Sequence, residues 1–280
     1  MTDAPAVKHK LDAHIVLDRS GSMDSVRQAA IDAVNSYVVE LAKDGSLESR
    51  VSLTLFDKEG TEPSIDLVRD RMPVSDFKAL TEDDFVPRGW TPLRDAIGRT
   101  IKTMDLQNLK PEIRRALIIM TDGHENASKE FTSEALKVLI QEKEKAGWLI
   151  TYLGANHDSW DQAKDYGLRA AATMDFDTSA IGETMAMAAT NTRAYGATGQ
   201  SLSADYTATQ RASAMGDIKA DAKKYQTSRI TKIAGIAPTY PIITKDDWVP
   251  VPGTDDWVQV GDALLPIAKS SSAPDAWAVE

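Results

Sequence analysis

The sequence of 280 residues contains no cysteine, which excludes disulfide bridges and thiolate ligands for a metal. It has only four histidines, none of them at the spacing of zinc ligands, so a histidine-based metal site is not expected. No apolar run approaches the roughly 18–20 residues of a membrane span, and residues 1–10 lack the apolar core of a secretion signal. These absences predict a soluble, cytoplasmic protein that does not insert into a membrane.

Positively charged residues are outnumbered by acidic residues in this chain. Lysine and arginine together number 32 against 42 Asp and Glu, which gives a net charge of −10. Because nucleic acids bind through clusters of basic side chains and none occurs here, we expect no nucleic-acid partner. The sequence also lacks a Gly-Lys-Ser/Thr phosphate loop and a Ser-His-Asp arrangement, which argues against the enzyme classes that use them.

Strand-like and helix-like patterns alternate up to about residue 180. Residues 50–56 alternate apolar and polar side chains as a half-buried strand does, and residues 115–120 are almost continuously apolar. Residues 26–41 and 93–104 repeat apolar side chains at helical spacing. Such alternation predicts an α/β fold with a doubly wound, mostly parallel central sheet, helices on both faces and a C-terminal extension.

Changes in composition divide the chain into four parts. Residues 1–10 form a short lead, residues 11–195 the α/β domain, and residues 196–240 a connector rich in Ala, Thr and Ser. The tail, residues 241–280, repeats the tetrapeptide Asp-Asp-Trp-Val, which is consistent with a small β hairpin or with a docking peptide.

Oxygen-bearing side chains follow two of the predicted strands. Asp18, Ser20 and Ser22 come at alternate positions directly after the apolar run 13–17, and Asp122 follows the strand that ends near residue 121. Thr91 precedes a predicted helix on the same side of the sheet. Because the carboxyl ends of parallel strands share one edge, we expect these oxygens to converge and to suit a hard divalent cation.

Each of these residues also has an ordinary structural interpretation. Asp18 and Ser22 suit a turn or a helix cap, and Thr91 before a proline suits a helix N-cap. Asp95 either supports the site from behind or faces solvent. Residues 124–126, which follow Asp122, either contribute to partner recognition or form a solvated loop.

The segment Asp18-Arg19-Ser20-Gly21-Ser22, together with Thr91 and Asp122, resembles the metal-ion-dependent adhesion site of von Willebrand factor A domains. That family's pattern is Asp-x-Ser-x-Ser, a later Thr and a later Asp followed by Gly, and all five positions are filled here. The resemblance extends over residues 10–195. Residues 91–97 and 153–156 are most similar to stand-alone bacterial and phage members of the family.

The resemblance implies a set of metal ligands: Asp18, Ser20, Ser22, Thr91 and Asp122. The serines would bind the ion directly, the aspartates directly or through water, and Thr91 would join or leave as the site changes state. Two carboxylates balance a divalent ion, so octahedral Mg²⁺, with Mn²⁺ or Ca²⁺ as alternatives, would still accept an acidic residue from a partner.

The sequence therefore predicts a metal-dependent protein–protein interaction module that binds Asp or Glu of a partner protein and has no enzymatic activity. One alternative is a structural or assembly component of a phage particle, which would be associated with the virion. Another is a phosphoryl-transfer enzyme that uses Asp18, although Ser20 stands where the second aspartate of such enzymes is needed. The sequence does not indicate an oligomeric state.

Overall fold

The computed structural model describes residues 9–43, 45, 47–107, 109–155 and 159–215, and in the tail the backbone of residues 248–250, 257–259, 267–269 and 277–279. The chain divides into two compact units, Met1–Lys219 and Ala220–Glu280. Among the described residues, no helix has both the length and the apolar character required to cross a bilayer.

The first unit is built on one six-stranded sheet. Its strands are β1 (His9–Asp18), β2 (Leu47–Asp57), β3 (Ser64–Pro73), β4 (Ile113–Thr121), β5 (Leu149–Ala155) and β6 (Thr173–Phe176). Their order in the sheet is β3-β2-β1-β4-β5-β6, and only the edge strand β3 runs antiparallel to its neighbour. The long apolar runs of β4 and β5 are buried on both faces, as parallel strands covered by helices require.

Helices cover both faces of the sheet. They are α1 (Arg27–Ala42), α2 (Leu93–Leu106), α3 (Ser133–Lys145), α4 (Ser159–Asp165), α5 (Ile181–Thr198) and α6 (Ala208–Ala214). Buried side chains of α1, α5 and α6 form one apolar cluster with Ile15 and Leu17, whereas those of α2, α3 and the α4 region form a second cluster with Val16. Since alternate residues of one strand enter opposite clusters, the predicted doubly wound α/β fold is confirmed.

The chain from residue 196 onward differs from the predicted connector. Helix α5 continues to Thr198, and Tyr206 is buried with its N–H bonded to the carbonyl of Ala171 (2.9 Å). The guanidinium group of Arg211 in α6 donates to the carbonyl of Thr173. Small Ala, Ser and Thr side chains, which gave this segment its connector-like composition, allow close helix packing. The domain therefore extends to at least residue 215, and residues 216–240 lie outside the described part of the chain.

The described residues of the tail form two short antiparallel strand pairs. In the first, β7 (Trp248–Pro250) pairs with β8 (Trp257–Gln259), so that Trp248 lies opposite Gln259. In the second, β9 (Ile267–Lys269) pairs with β10 (Trp277–Val279). The first pair occupies the segment in which the repeated Asp-Asp-Trp-Val predicts a hairpin.

We expect Tyr206→Ala to lower the free energy of unfolding by about 3 kcal/mol, because it removes a buried aromatic ring from the contact between residues 205–215 and the sheet. Leu202→Ala is the matched control, since Leu202 is 71% exposed and its loss leaves no cavity. Urea denaturation of both full-length variants measures the difference. Equal stabilities would show that residues 201–215 do not belong to the cooperative domain.

Candidate metal centre

The candidate site lies where the winding of the sheet changes direction. From β1 the chain proceeds to β2 and β3 on one side of the sheet, and it returns to β4 on the other side. Asp18 is the last residue of β1, and Asp122 directly follows the last residue of β4. The carboxyl ends of two such neighbouring strands diverge into a crevice, which is where α/β sheets bind ligands.

The carboxyl group of Asp18 is fully buried and held at both oxygens. The backbone N–H of Ser20 donates to Oδ1 (2.7 Å), and the hydroxyl of Thr121 donates to Oδ2 (2.5 Å). The first bond closes the kind of turn that the ordinary interpretation of Asp18 predicts. The second bond comes from β4, so it also fixes the orientation of the carboxyl group toward the neighbouring strand.

The other predicted ligands beside Asp18 form a chain of short oxygen–oxygen contacts. Ser20 Oγ lies 3.2 Å from Ser22 Oγ, and Ser22 Oγ donates to Asp122 Oδ1 at 2.6 Å. In octahedral Mg²⁺ with bonds of about 2.1 Å, adjacent ligand oxygens are about 3.0 Å apart. The spacing between Ser20 and Ser22 is close to such an edge, and Ser22 and Asp122 are close enough to share one ion after a small separation of their hydrogen-bonded oxygens.

Gly123 lies beside this oxygen cluster. A Cβ atom built on Gly123 would lie 3.2 Å from Thr91 Oγ1, 3.6 Å from Ser22 Oγ and 3.8 Å from Asp18 Oδ2. Three side-chain oxygens from three distant segments thus lie within 3.8 Å of one point. The structure brings together all five residues predicted from the sequence.

The two carboxyl groups of the site are in an environment that disfavours uncompensated negative charge. Burial raises the pKa of Asp18 to about 7, although hydrogen bonds from Thr121 and Ser20 oppose the shift, and burial also raises the pKa of Asp122. No group of three or more His, Asp or Glu side chains suited to a metal occurs in the described part of the chain. The donor set here is instead two carboxylates and three hydroxyls, whose hard oxygens match Mg²⁺, Mn²⁺ or Ca²⁺.

Thr91 is fixed through its backbone to the loop that follows Asp122. Its N–H donates to Asn126 Oδ1 (2.8 Å), and the N–H of Asn126 donates to the carbonyl of Thr91 (3.2 Å). The cap position of α2 is occupied by Pro92, and no side chain caps the helix there. The helix-cap interpretation of Thr91 is therefore wrong, and its hydroxyl points to the oxygen cluster instead.

Two buried carboxylates organise the loop after Asp122. Asp95 is fully buried and accepts three backbone N–H groups, those of Lys129, Glu130 and Phe131. Glu125 accepts the N–H groups of Arg94, Ala127 and Ser128. The expectation that Asp95 faces solvent is wrong, because its carboxylate supports this loop. Glu125 and Asn126 likewise hold the loop to the start of α2.

A buried ion pair lies behind the candidate metal-binding loop, residues 18–22. Arg19 Nε donates to Asp57 Oδ2 (2.5 Å), and Arg19 Nη2 donates to Asp66 Oδ2 (2.7 Å). Arg88 also contacts the fully buried carboxylate of Asp57 (3.2 Å), and its N–H donates to the carbonyl of Arg19 (2.9 Å). These contacts anchor the middle of the Asp-x-Ser-x-Ser loop to β2 and β3.

Sequence reasoning missed several of these supporting residues. Thr121 had a recognisable signal, since a hydroxyl at the last position of β4 stands beside the end of β1. The sequence signal for Arg19 and Asp57 was weaker, because it consisted only of opposite charges at the ends of two predicted strands. The pairing of Asn126 with Thr91 had none, because it depends on the path of two loops.

In a comparison with known protein families, residues 12–188 match the family model described as von Willebrand factor type A domain. No curated protein sequence matches the chain.

Solved structures with similar folds include three proteins of low sequence identity. A von Willebrand factor type A protein from Catenulispora acidiphila is 17% identical, with a TM-score of 0.47, over 66% of this chain and 43% of its own. Proximal thread matrix protein 1 from the mussel byssus is 12% identical, with a TM-score of 0.47, over 65% and 48%. A manganese-loaded TRAP protein from Plasmodium vivax is 15% identical, with a TM-score of 0.45, over 62% and 71%. The chain thus matches less than half the length of the first two.

We expect the affinity for Mg²⁺ to fall about tenfold between pH 8 and pH 6, because a proton competes with the ion for a carboxylate whose pKa is raised to about 7. Asp18 is ionised above this pKa and protonated below it, so binding weakens as the pH falls. Isothermal titration calorimetry at several pH values measures the effect. An affinity that is constant over this range would contradict the assignment of Asp18.

We expect Gly123→Ala to weaken Mg²⁺ binding several-fold, because the added methyl group would lie 3.2 Å from Thr91 Oγ1 and would displace this candidate ligand. Gly182→Ala is the matched control, since a Cβ atom there meets no atom within 4 Å. Calorimetric titration with Mg²⁺ compares the two variants. Equal affinities would place the ion outside this cluster.

Proposed function

Because the chain belongs to the von Willebrand factor type A domain family, we propose that it is a divalent-metal-dependent interaction module which binds an acidic residue of a partner protein. The observation that carries the proposal is the convergence of two carboxylates and three hydroxyls at the end of β1 and β4. In this proposal Asp18, Ser20, Ser22, Thr91 and Asp122 form a complete metal-ion-dependent adhesion site.

The charges of the site support a partner that carries Asp or Glu. Asp18 and Asp122 supply two negative charges, whereas Ser20, Ser22 and Thr91 supply neutral oxygens. A bound divalent ion, which we propose to be Mg²⁺ with Mn²⁺ or Ca²⁺ as alternatives, supplies an open coordination position that a carboxylate can complete. The exposed position of Ser22 keeps that side of the cluster accessible to a partner.

The surroundings of Asp18 support a role in binding without catalysis. Asp18 Oδ1 accepts the N–H of Ser20 and Oδ2 accepts the hydroxyl of Thr121, and neither donor is a general acid or base. Ser20 occupies the position two residues on where a phosphoryl-transfer enzyme of the relevant class has its second aspartate.

The proposal extends to the setting in which the module acts. The segments 91–97 and 153–156 support a stand-alone bacterial or phage protein. Such a protein would act in the cytoplasm, or in the virion if a phage encodes it.

We expect Asp18→Asn to abolish Mg²⁺ binding and the capture of a partner, because it removes one of the two charges that hold the ion while it preserves the size of the side chain. Asp24→Asn is the matched control: Asp24 is exposed and lies four residues from Ser20, outside the oxygen cluster. The measurement is a pull-down from the native host with Mg²⁺ and with EDTA, together with calorimetric titration of the ion.

Two results would contradict the proposal. A partner that both EDTA and Asp18→Asn leave bound would remove the metal from the interaction. Hydrolysis of a phosphate ester by the wild-type protein that is lost in Asp18→Asn would identify an enzyme instead.

A further inference from the structure

An exposed tryptophan stands directly beside the oxygen cluster. Trp90 immediately precedes Thr91 and is 62% exposed, and Val86 in the same segment is 48% exposed. Because consecutive Cα atoms are about 3.8 Å apart, the backbone of Trp90 lies next to that of a candidate ligand. Leu106, at the far end of α2, is another exposed apolar side chain, but α2 carries it about 20 Å from this rim.

The exposure of Trp90 results from a fixed backbone. Its N–H donates to the carbonyl of Lys58 (2.9 Å), and the N–H of Lys58 donates to the carbonyl of Trp90 (3.0 Å). Gly89 has φ +63°, and a Cβ atom there would lie 2.1 Å from the Lys58 carbonyl oxygen, so only glycine allows this approach. The N–H of Gly21 in the metal-binding loop also donates to the carbonyl of Gly89 (3.2 Å). The backbone of Trp90 is thereby held in a fixed position relative to the loop 18–22.

A core-packing role does not explain a side chain in this position. A tryptophan contributes to stability through the apolar area it buries, and most of this side chain is in contact with solvent. Rigid, exposed tryptophans are instead the residue type that most often dominates the binding energy of protein interfaces. Their low side-chain entropy makes them effective anchors.

We propose that Trp90 and Val86 form the apolar half of a docking surface, and that the oxygen cluster with its ion forms the other half. This surface selects a partner segment that has an apolar side chain within two residues of its Asp or Glu. The inference rests on the proposed function and specifies the chemistry of the partner. Two residues of an extended segment span about 7 Å, which suits two adjacent subsites on the docking surface.

The charges around Trp90 favour an apolar side chain over a basic one. The side chain of Arg88, two residues away and 40% exposed, is paired with the carboxylates of Asp57 and Glu59, so its charge is compensated. The proposed divalent ion would repel an approaching Lys or Arg of the partner. The partner segment that fits best is therefore acidic and apolar.

The test uses a peptide library with a fixed central Asp and random flanking residues, displayed to the full-length protein in Mg²⁺ and eluted with EDTA. The strongest selected peptide is synthesised together with two variants, one with Ser in place of the apolar residue and one with Asn in place of Asp. Affinities of all three are measured for the wild type, Trp90→Ala, Trp90→Phe and the control Leu106→Ala.

We expect the selected peptides to carry an apolar residue within two positions of the Asp, and the Ser variant to bind the wild type about tenfold more weakly. Trp90→Ala is expected to abolish this preference, whereas Trp90→Phe and Leu106→Ala keep it. The role of Trp90 would be overturned if the selected peptides showed no apolar preference, or if the Trp90→Ala variant kept that preference. Neither result would contradict the proposed function. Binding that the Asn variant retains, or a failure of EDTA to elute any enriched peptide, would overturn the proposed function as well.

Discussion

A carboxyl group buried at the end of a central strand is the constraint that organises this domain. Asp18 is excluded from solvent, and burial alone would make its ionised form unfavourable. Hydrogen bonds from the N–H of Ser20 and the hydroxyl of Thr121 offset part of this desolvation cost. Thr121 reaches Asp18 only because β1 and β4 are neighbours in the sheet. The position of the carboxyl group is therefore tied to the crossover that places β4 beside β1.

The loop that begins at Asp18 is stabilised by a buried ion pair and by main-chain hydrogen bonds to a neighbouring segment. The Arg19–Asp57 pair is buried, so its attraction is only weakly screened, and removal of either partner would leave an isolated charge. Segment 88–90 then pairs with the loop and with Lys58 through main-chain hydrogen bonds. Such support determines the geometry of the oxygen cluster more than it adds to the stability of the fold.

The alternation of strands and helices, and the convergence of the five oxygen-bearing residues, could be predicted from the sequence because they depend on local patterns. Asp18 and Asp122 each follow an apolar strand, and parallel strands bring their ends to one edge whatever the loops do. The supporting contacts could not be predicted in this way. Asn126 meets Thr91 only through the path of two loops, and Tyr206 is buried within a segment whose Ala, Ser and Thr content resembles that of a linker. The four-residue strand β6 is too short to give a periodic signal.

The pairing between Thr91 and Asn126 has a consequence for the dynamics of the rim. Because Thr91 and the loop after Asp122 share two hydrogen bonds, neither segment can shift without displacing the other, and Asp95 extends this connection to residues 129–131. A ligand that approaches this rim meets groups that are already ordered, so little conformational entropy is lost on contact. Affinity differences between related complexes arise mainly in the rate of dissociation, so we expect changes to these hydrogen bonds to alter the lifetime of a complex more than its rate of formation.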